Sequence, residues 1–474
     1  MGARKRPVKL MENTAKKSMM NDLTKGPILK ILVTLAVPFM FSNLLMTLYS
    51  MVDMIVVGQF VGSTGLSAVT QASMITNLMS TLAMGFSTSG QILISQQIGI
   101  NDKQGVKTTI GSLFSTVGII GMIMTVVGVT LYHPMLSVLN TPAEAFSQAV
   151  DYLVICSAGN IFTCGYVCVS AILRGMGDSK KPFVFIAIAS VTNVVLDLLF
   201  VAVFHWEAAG AAWATIIGQA VSFISSIIYL YKKREQFGFD FALKSFRINP
   251  STFKILFRLG LPMAIQSSAI TVSMLFVSSI VNQFGLAASS TFGVGRRVEM
   301  IPMMMTNAFS MAASTIIGQN MAAGKVKRSK KVVYTTLCFT TGIFVIAGIC
   351  FALWPKAVFS LFTTDAAVLE MSTIFIQTIL VAFPAFAIMP AFNCFIQGIG
   401  NAKVSLIIAL MDGVVARISL TYLFAYVFEW GIPGLFLGYC LAAYVTAIPS
   451  ALYFFSGVWK KRKLLVAGPS ADAE

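Results

Sequence analysis

Arg174-Gly175-Met176-Gly177-Asp178-Ser179-Lys180 and, 223 positions later, Gln397-Gly398-Ile399-Gly400-Asn401-Ala402-Lys403 are the stretches that decide the fold. Each is a Gly-x-Gly turn ending in lysine, set between long apolar runs. Four further matches share the offset. Lys30-Ile31-Leu32 with Pro38 returns as Lys254-Ile255-Leu256 with Pro262, and Gln59-Phe60 returns as Gln283-Phe284. Gln96 matches Gln319, and Trp206 with Gly210 matches Trp430 with Gly434. Five matches in order, all shifted by 223 or 224 positions, mark a tandem repeat.

Outward from these turns the chain is mostly apolar. Crossing the hydrocarbon of a bilayer takes roughly twenty apolar residues. Six candidate spans fall near 31–57, 66–97, 107–131, 146–172, 182–204 and 209–231, and six near 253–281, 287–317, 331–354, 368–395, 404–428 and 432–457. The runs do not alternate with period two, which excludes a closed barrel. The expected fold is all-α and integral to the membrane: twelve transmembrane helices in two pseudo-symmetric six-helix bundles. The expected organisation is a basic segment 1–27, a first lobe 28–231, a linker 232–252 rich in Lys, Arg, Glu and Asp, a second lobe 253–457 and a tail 458–474. With an even number of spans each, the halves share one orientation, related by an axis along the membrane normal with a cavity between them.

Composition agrees. Apolar residues make up 57% of the chain, charged residues 11%, and the mean hydropathy is +0.82. Soluble folds carry about 25% charged residues, so a chain this poor in charge cannot cover a water-facing surface. The net charge of +16 is not a nucleic-acid signature, because the cations gather in short stretches between apolar runs and no aromatics interleave them. Lys103, Lys107, Arg174, Lys180, Lys181, Lys232 to Arg234, Lys325 to Lys331 and Lys460 to Lys463 occupy alternate loops, with Lys356 the exception on the other side. The positive-inside rule then places both termini in the cytoplasm of a multi-pass protein of the inner, or cell, membrane. No cleavable signal pattern opens the chain; Met11 can serve as the start, and Arg6 stands where myristoylation after Gly2 would want Ser or Thr.

Enzymatic motifs are missing from this reading. The seven cysteines (Cys156, Cys164, Cys168, Cys338, Cys350, Cys394, Cys440) form no CxxC pair, and His133 and His205 stand alone. No HExxH and no nucleophile with a matched base is present.

Ionisable residues inside the membrane are costly and mark function. Asp53 lies near the outer end of the first span, one helical turn after Tyr49; Asn193 and Asp197 share a face of the fifth; Thr215 lies in the sixth. At about 1.5 Å per residue, Asp53, Asn193, Asp197 and Thr215 fall in one layer roughly 6–10 Å below the outer edge. Such oxygen ligands suit H⁺ or a small cation such as Na⁺. A hydrogen-bonded cluster that merely joins helices is the plainer alternative. The second lobe lacks an acid in its first span, where Ile270 stands deep, and carries Arg296, Arg297, Glu299, Asp412 and Arg417, read as mutually neutralising ion pairs. Met303, Met304, Asn307, Gln266, Asn160, Gln71, Asn43 and Tyr49 are candidates to line an adaptable cavity.

These residues resemble the multidrug and toxic compound extrusion (MATE) transporters from about Lys25 to Trp459. The likeness rests on Leu35-Ala36-Val37-Pro38, Leu48-Tyr49 to Asp53, Val57-Gly58, Arg174 to Asp178, Asn193 to Asp197 and Gly210-Ala211-Ala212-Trp213-Ala214-Thr215. It implies a V of two bundles that expels lipophilic, mostly cationic drugs in exchange for inward H⁺ or Na⁺, without a cofactor and as a monomer. It also implies that Asp53, Asn193, Asp197 and Thr215 couple the ion, and that Pro38 lets the first helix bend. The family branch with a Glu in helix seven is not matched, since Ile270 and its neighbours supply none. The rival reading is a flippase for lipid-linked sugars, whose pyrophosphate would use Arg296, Arg297 and Arg417.

Overall fold

A computed structural model describes residues 19–139 and 141–466; the readings of Met1 to Leu10, and parts of the terminal segments, lie outside them. Among the described residues there is helix and no strand. In the first half run α1 (Ile28–Phe60), α2 (Ser63–Gly99), α3 (Lys103–Thr130), the short α4 (Tyr132–Val138), α5 (Ala143–Ala158), α6 (Asn160–Gly175), α7 (Lys180–Asp197) and α8 (Glu207–Lys232). After the four-residue α9 (Arg234–Phe237), the second half runs α10 (Pro250–Asn282), α11 (Leu286–Ala322), α12 (Val326–Leu353), the short α13 (Pro355–Ser360), α14 (Ala366–Gly398), α15 (Ala402–Leu410), α16 (Arg417–Tyr422) and α17 (Gly431–Ser456).

The repeat is visible in helix lengths. α1 and α10 each have 33 residues, α2 and α11 have 37, α3 and α12 have 28, and α8 and α17 have 26. Ten spans are long and apolar enough to cross a membrane, and α5 with α6 forms another, bent by 47° at Gly159. The twelfth, α2, carries no charge but is rich in Ser, Thr, Gln and Gly; its last third is buried among other helices rather than facing outward. Lipid is the natural solvent for the rest: Met122, Val126, Val191 and Ile346 stand exposed well inside their helices. A water-facing surface would not carry such a belt.

Residues 19–26, the Gly-x-Gly turns and residues 457–466 share one end of the molecule, here the terminal face. Between the halves, α2 packs on α10 and α11, and α1 packs on α11. The closest approaches, where a Cβ on Gly85 would strike Ala264 and one on Gly99 would strike the Gln319 carbonyl, run from mid-helix to the terminal face. The halves meet there.

Packing explains the Gly-x-Gly turns. A Cβ on the first glycine would come within 2.8 Å of the Gln91 carbonyl at Gly175, and within 2.8 Å of the Ser314 carbonyl at Gly398. The second glycine takes a left-handed φ, +81° at Gly177 and +73° at Gly400, a conformation natural to glycine. Each of these turns carries a terminal segment. Asn21 donates from its backbone to Met176 (2.9 Å) and from its side chain to Gly177 (2.9 Å), then Leu23 N–H donates across the seam to Gln319 Oε1 (2.9 Å). At the other end Arg462 donates to the Gly400 carbonyl (2.8 Å), and Leu465 N–H donates across to Gln96 Oε1 (3.2 Å). Gln96 and Gln319 are repeat equivalents, so each half receives the strap anchored on the other.

The linking stretch is more than a charged spacer. Phe237 and Phe239 are buried, and with Phe241, Phe246 and Phe114 of α3 they form a ring cluster, fastened outside by Lys107 on Asp240 (2.8 Å).

Candidate functional site

Two separate polar assemblies lie inside the spans. In the first half α7 packs against α1 and α8. Asp53, Asn193 and Asp197 are buried, and Thr215 is half-buried. In the amide orientation that satisfies both ends, Asn193 donates to Asp197 Oδ2 (3.3 Å) and accepts from the Thr215 backbone N–H (3.3 Å). Asp53 Oδ1 and Asp197 Oδ1 are both buried with no hydrogen-bond partner among the described residues. Burying such acceptors unpaired is expensive, so the arrangement suits a proton or a small cation. Asp197 sits at the point where α7 gives way to a π-helical stretch, Leu198–Val203; π turns recur at functional sites. Tyr49, one turn before Asp53 on α1, accepts at its hydroxyl from Gln219 Nε2 (3.5 Å).

Between the halves lies a cavity of about 620 Å³, within the range of drug-sized sites. Asn43, Gln266, Met303 and Asn307 line it, as do Arg296, Glu299, Asp412 and Arg417. Four expected lining residues do not. Tyr49 accepts from Gln219 of α8, Met304 Sδ accepts from Thr47 of α1 (3.8 Å), Asn160 is buried at the α5–α6 bend, and Gln71 lies in the first third of α2. Neither Asp53 nor Asp197 lines the cavity; Gln219, which does, donates to Tyr49, one turn before Asp53 on α1.

The second-half charges form one network with an unforeseen centre. Arg417 makes a forked pair with Asp412 (2.9 and 3.1 Å), and Thr446 donates to the same carboxylate (2.9 Å). Arg296 reaches Glu299 at 3.5 Å. Tyr439 joins the two pairs: its hydroxyl donates to Glu299 (3.0 Å) and accepts from Arg296, and its ring lies under both guanidiniums, 5.7 Å from Arg296 and 5.2 Å from Arg417. Arg297 departs from expectation. It is exposed and pairs with no acid among the described residues, because its face of α11 points away from α17 while Arg296 and Glu299 face it. Arg174, counted among the loop cations, instead turns inward and lines the cavity at its terminal end.

Two lobes of membrane-spanning helices around a cavity, with buried carboxylates set apart from it, have the architecture of a solute transporter. The chain belongs to the MatE family, which matches residues 38–199 and again residues 262–423. It is 28% identical to the probable multidrug resistance protein YpnP of Bacillus subtilis (strain 168), covering 94% of this chain and 98% of that one. It is 26% identical to the probable multidrug resistance protein NorM of Thermotoga maritima, over 92% and 94% of the two chains. A crystal structure of MATE in the straight conformation superposes with a TM-score of 0.87 at 23% identity, over 93% of this chain and 98% of the other.

Proposed function

We propose that this protein exports lipophilic compounds across the bacterial cell membrane by alternating access, in exchange for inward H⁺ or Na⁺. The observation that carries the proposal is the separation of a drug-sized cavity from a buried pair of carboxylates with unpartnered oxygens in the first lobe. One takes cargo and the other takes the ion. Asp53, Asp197, Asn193 and Thr215 would hold the ion through oxygen ligands, which suit a hard cation or a proton alike. The basic loops put the terminal face, the 232–252 linker and both termini in the cytoplasm. The cavity then opens outward.

Coupling runs through α1. Ion entry neutralises Asp53 and changes its hold on α7 and α8. Pro38, which cannot donate to the Thr34 carbonyl, gives α1 a place to bend, and a bend there moves Phe39, Ser42, Asn43 and Met46 of the cavity wall. The ion drives this only through different affinity for the two states. A preference for cationic cargo would have rested on Asp53 and Asp197 facing the drug; since they do not line the cavity, we leave the charge of the cargo to the cavity's own residues.

The test is dye efflux from proteoliposomes under separately imposed H⁺ and Na⁺ gradients, for wild type and Asp53→Asn. Gradient-driven efflux that the variant loses, with its folded fraction intact, supports the assignment and names the ion. Equal efflux by the variant would sink it.

A further inference from the structure

The cavity has more positive than negative charge on its walls. Three guanidiniums line it, those of Arg174, Arg296 and Arg417, against two carboxylates, Glu299 and Asp412. Both acids are taken: Glu299 pairs with Arg296 and Asp412 with Arg417. Arg174 is left without a carboxylate partner among the described residues. Its Nε donates to Gln91 Oε1 (3.1 Å), its Nη1 to Ser170 Oγ (2.5 Å), and the Phe39 ring lies 5.1 Å from its Cζ. These neutral contacts hold the side chain in place without cancelling its charge, and they leave Nη2 unused. Gln91 is fixed in turn by donating to Thr315 Oγ1 of the other half (3.0 Å). The guanidinium is therefore oriented by both lobes, at the end of the cavity where they meet.

A charge so placed, with a planar fork of donors, matches a carboxylate or phosphate oxygen. The walls beyond it are soft and apolar: Phe39, Met46, Met84, Met303, Met389 and Phe386. We infer that the cargo of this transporter is a small apolar molecule bearing one anionic group, a carboxylate or a phosphate, which docks on Arg174 at the closed end of the cavity while its apolar body lies among the methionines. This rests on the reading of the cavity as the cargo site and adds the chemical class of the cargo. Parting of the lobes at the terminal face would break the Gln91–Thr315 bond that fixes Gln91 and so loosen the hold on Arg174, so the anion is held in one state and released from it in the other.

The experiment is equilibrium binding, by fluorescence anisotropy, of two dyes to the full chain in lipid nanodiscs: a rhodamine with a free carboxylate, and the methyl ester of the same rhodamine. The ring systems are the same and only the anionic group differs. Wild type should bind the carboxylate dye about tenfold more tightly than the ester, the size of one charge-assisted contact. Arg174→Gln should bring that ratio to about one, and Arg174→Lys should keep part of it. Ester binding equal to or tighter than carboxylate binding in wild type overturns the inference while leaving the cavity as cargo site. So does an unchanged ratio in a folded Arg174→Gln. Binding of neither dye overturns the cargo-site reading itself, and this inference with it. The wild-type comparison decides even where a variant does not fold.

Discussion

Arg417 and Asp412 are both buried, so each holds the other's charge in a place where water cannot. Arg417→Met alone should lower stability by about 3–5 kcal/mol, because it strands a carboxylate in the protein interior. The double variant Asp412→Leu with Arg417→Met should recover most of the loss, and thermal unfolding in detergent would measure both. Tyr439→Phe should cost about 1–3 kcal/mol, since Glu299 loses its hydroxyl partner and Arg296 loses an acceptor. The same residues show where sequence reading stops. Opposite charges in the second lobe were legible as ion pairs, but residues five apart do not share a face of an α-helix. They do here because Met411–Ala416 winds as a π-helix, with i to i+5 bonding, ahead of Arg417. Nor does spacing predict that Tyr439, on α17, sits between pairs on α11 and α16, or that Arg174 at the end of α6 turns toward the cavity instead of the loop. Asp53, Asn193, Asp197 and Thr215 were easier to find, because depth in the membrane follows directly from residue count.

Among elements, the repeat predicts both the likenesses and the places where they fail. α5 and α6 break at Gly159, where a Cβ would meet Ile216 of α8, whereas the equivalent α14 runs unbroken through Pro384 and Pro390. The π-helical stretch after Asp197 returns as Leu423–Val427, while that at Met411–Ala416 has no counterpart in the α-helical α7. Hydropathy cannot see such changes of winding, because they leave composition untouched. Pro38 gives a prediction at this scale. Pro38→Ala restores a donor facing Thr34 and removes a ring from mid-helix, so unfolding should be unchanged or occur at higher temperature. If α1 bends there during transport, the stiffened helix should slow gradient-driven efflux while dye binding persists. Equal turnover would remove Pro38 from the mechanism. At the turns, Gly400→Ala should cost about 1–2 kcal/mol, since φ is left-handed and the new Cβ would stand 2.7 Å from Leu465 Cδ1.

For the whole molecule, the twelve spans, the two lobes and the cavity between them follow from hydropathy and the fixed offset, because lipid leaves few alternatives to a helix. The position of the acids relative to the cavity did not follow. It depends on which face of α1 turns toward α7 and which toward α11, and a helix as apolar all round as α1 carries no stripe to decide that. The terminal straps were likewise out of reach, since their partners are far off in sequence, Leu23 being 296 positions from Gln319 and Leu465 369 from Gln96.

Those straps make the barrier at the terminal face a lock with two bolts, one thrown from each lobe into the other. Neither bolt can be drawn without parting its own glutamine, and the lobes cannot swing open on that side while either is home. On the proposed alternating access, residues 19–26 and 457–466 are thus working parts of the gate. Gln96 also donates to the Gly398 carbonyl and Gln319 to the Asn21 carbonyl, so at roughly 0.5–1.5 kcal/mol for each bond lost, Gln96→Ala and Gln319→Ala should each favour the open-to-terminal-face form by about fivefold to a hundredfold, and together by the product. Labelling of a cysteine placed at Ser95, which is sealed at the seam, would read that shift. A bulky tag joined at either end should act as a third variable, prising its bolt, so kinetics from differently tagged preparations should disagree in a direction set by which end was altered.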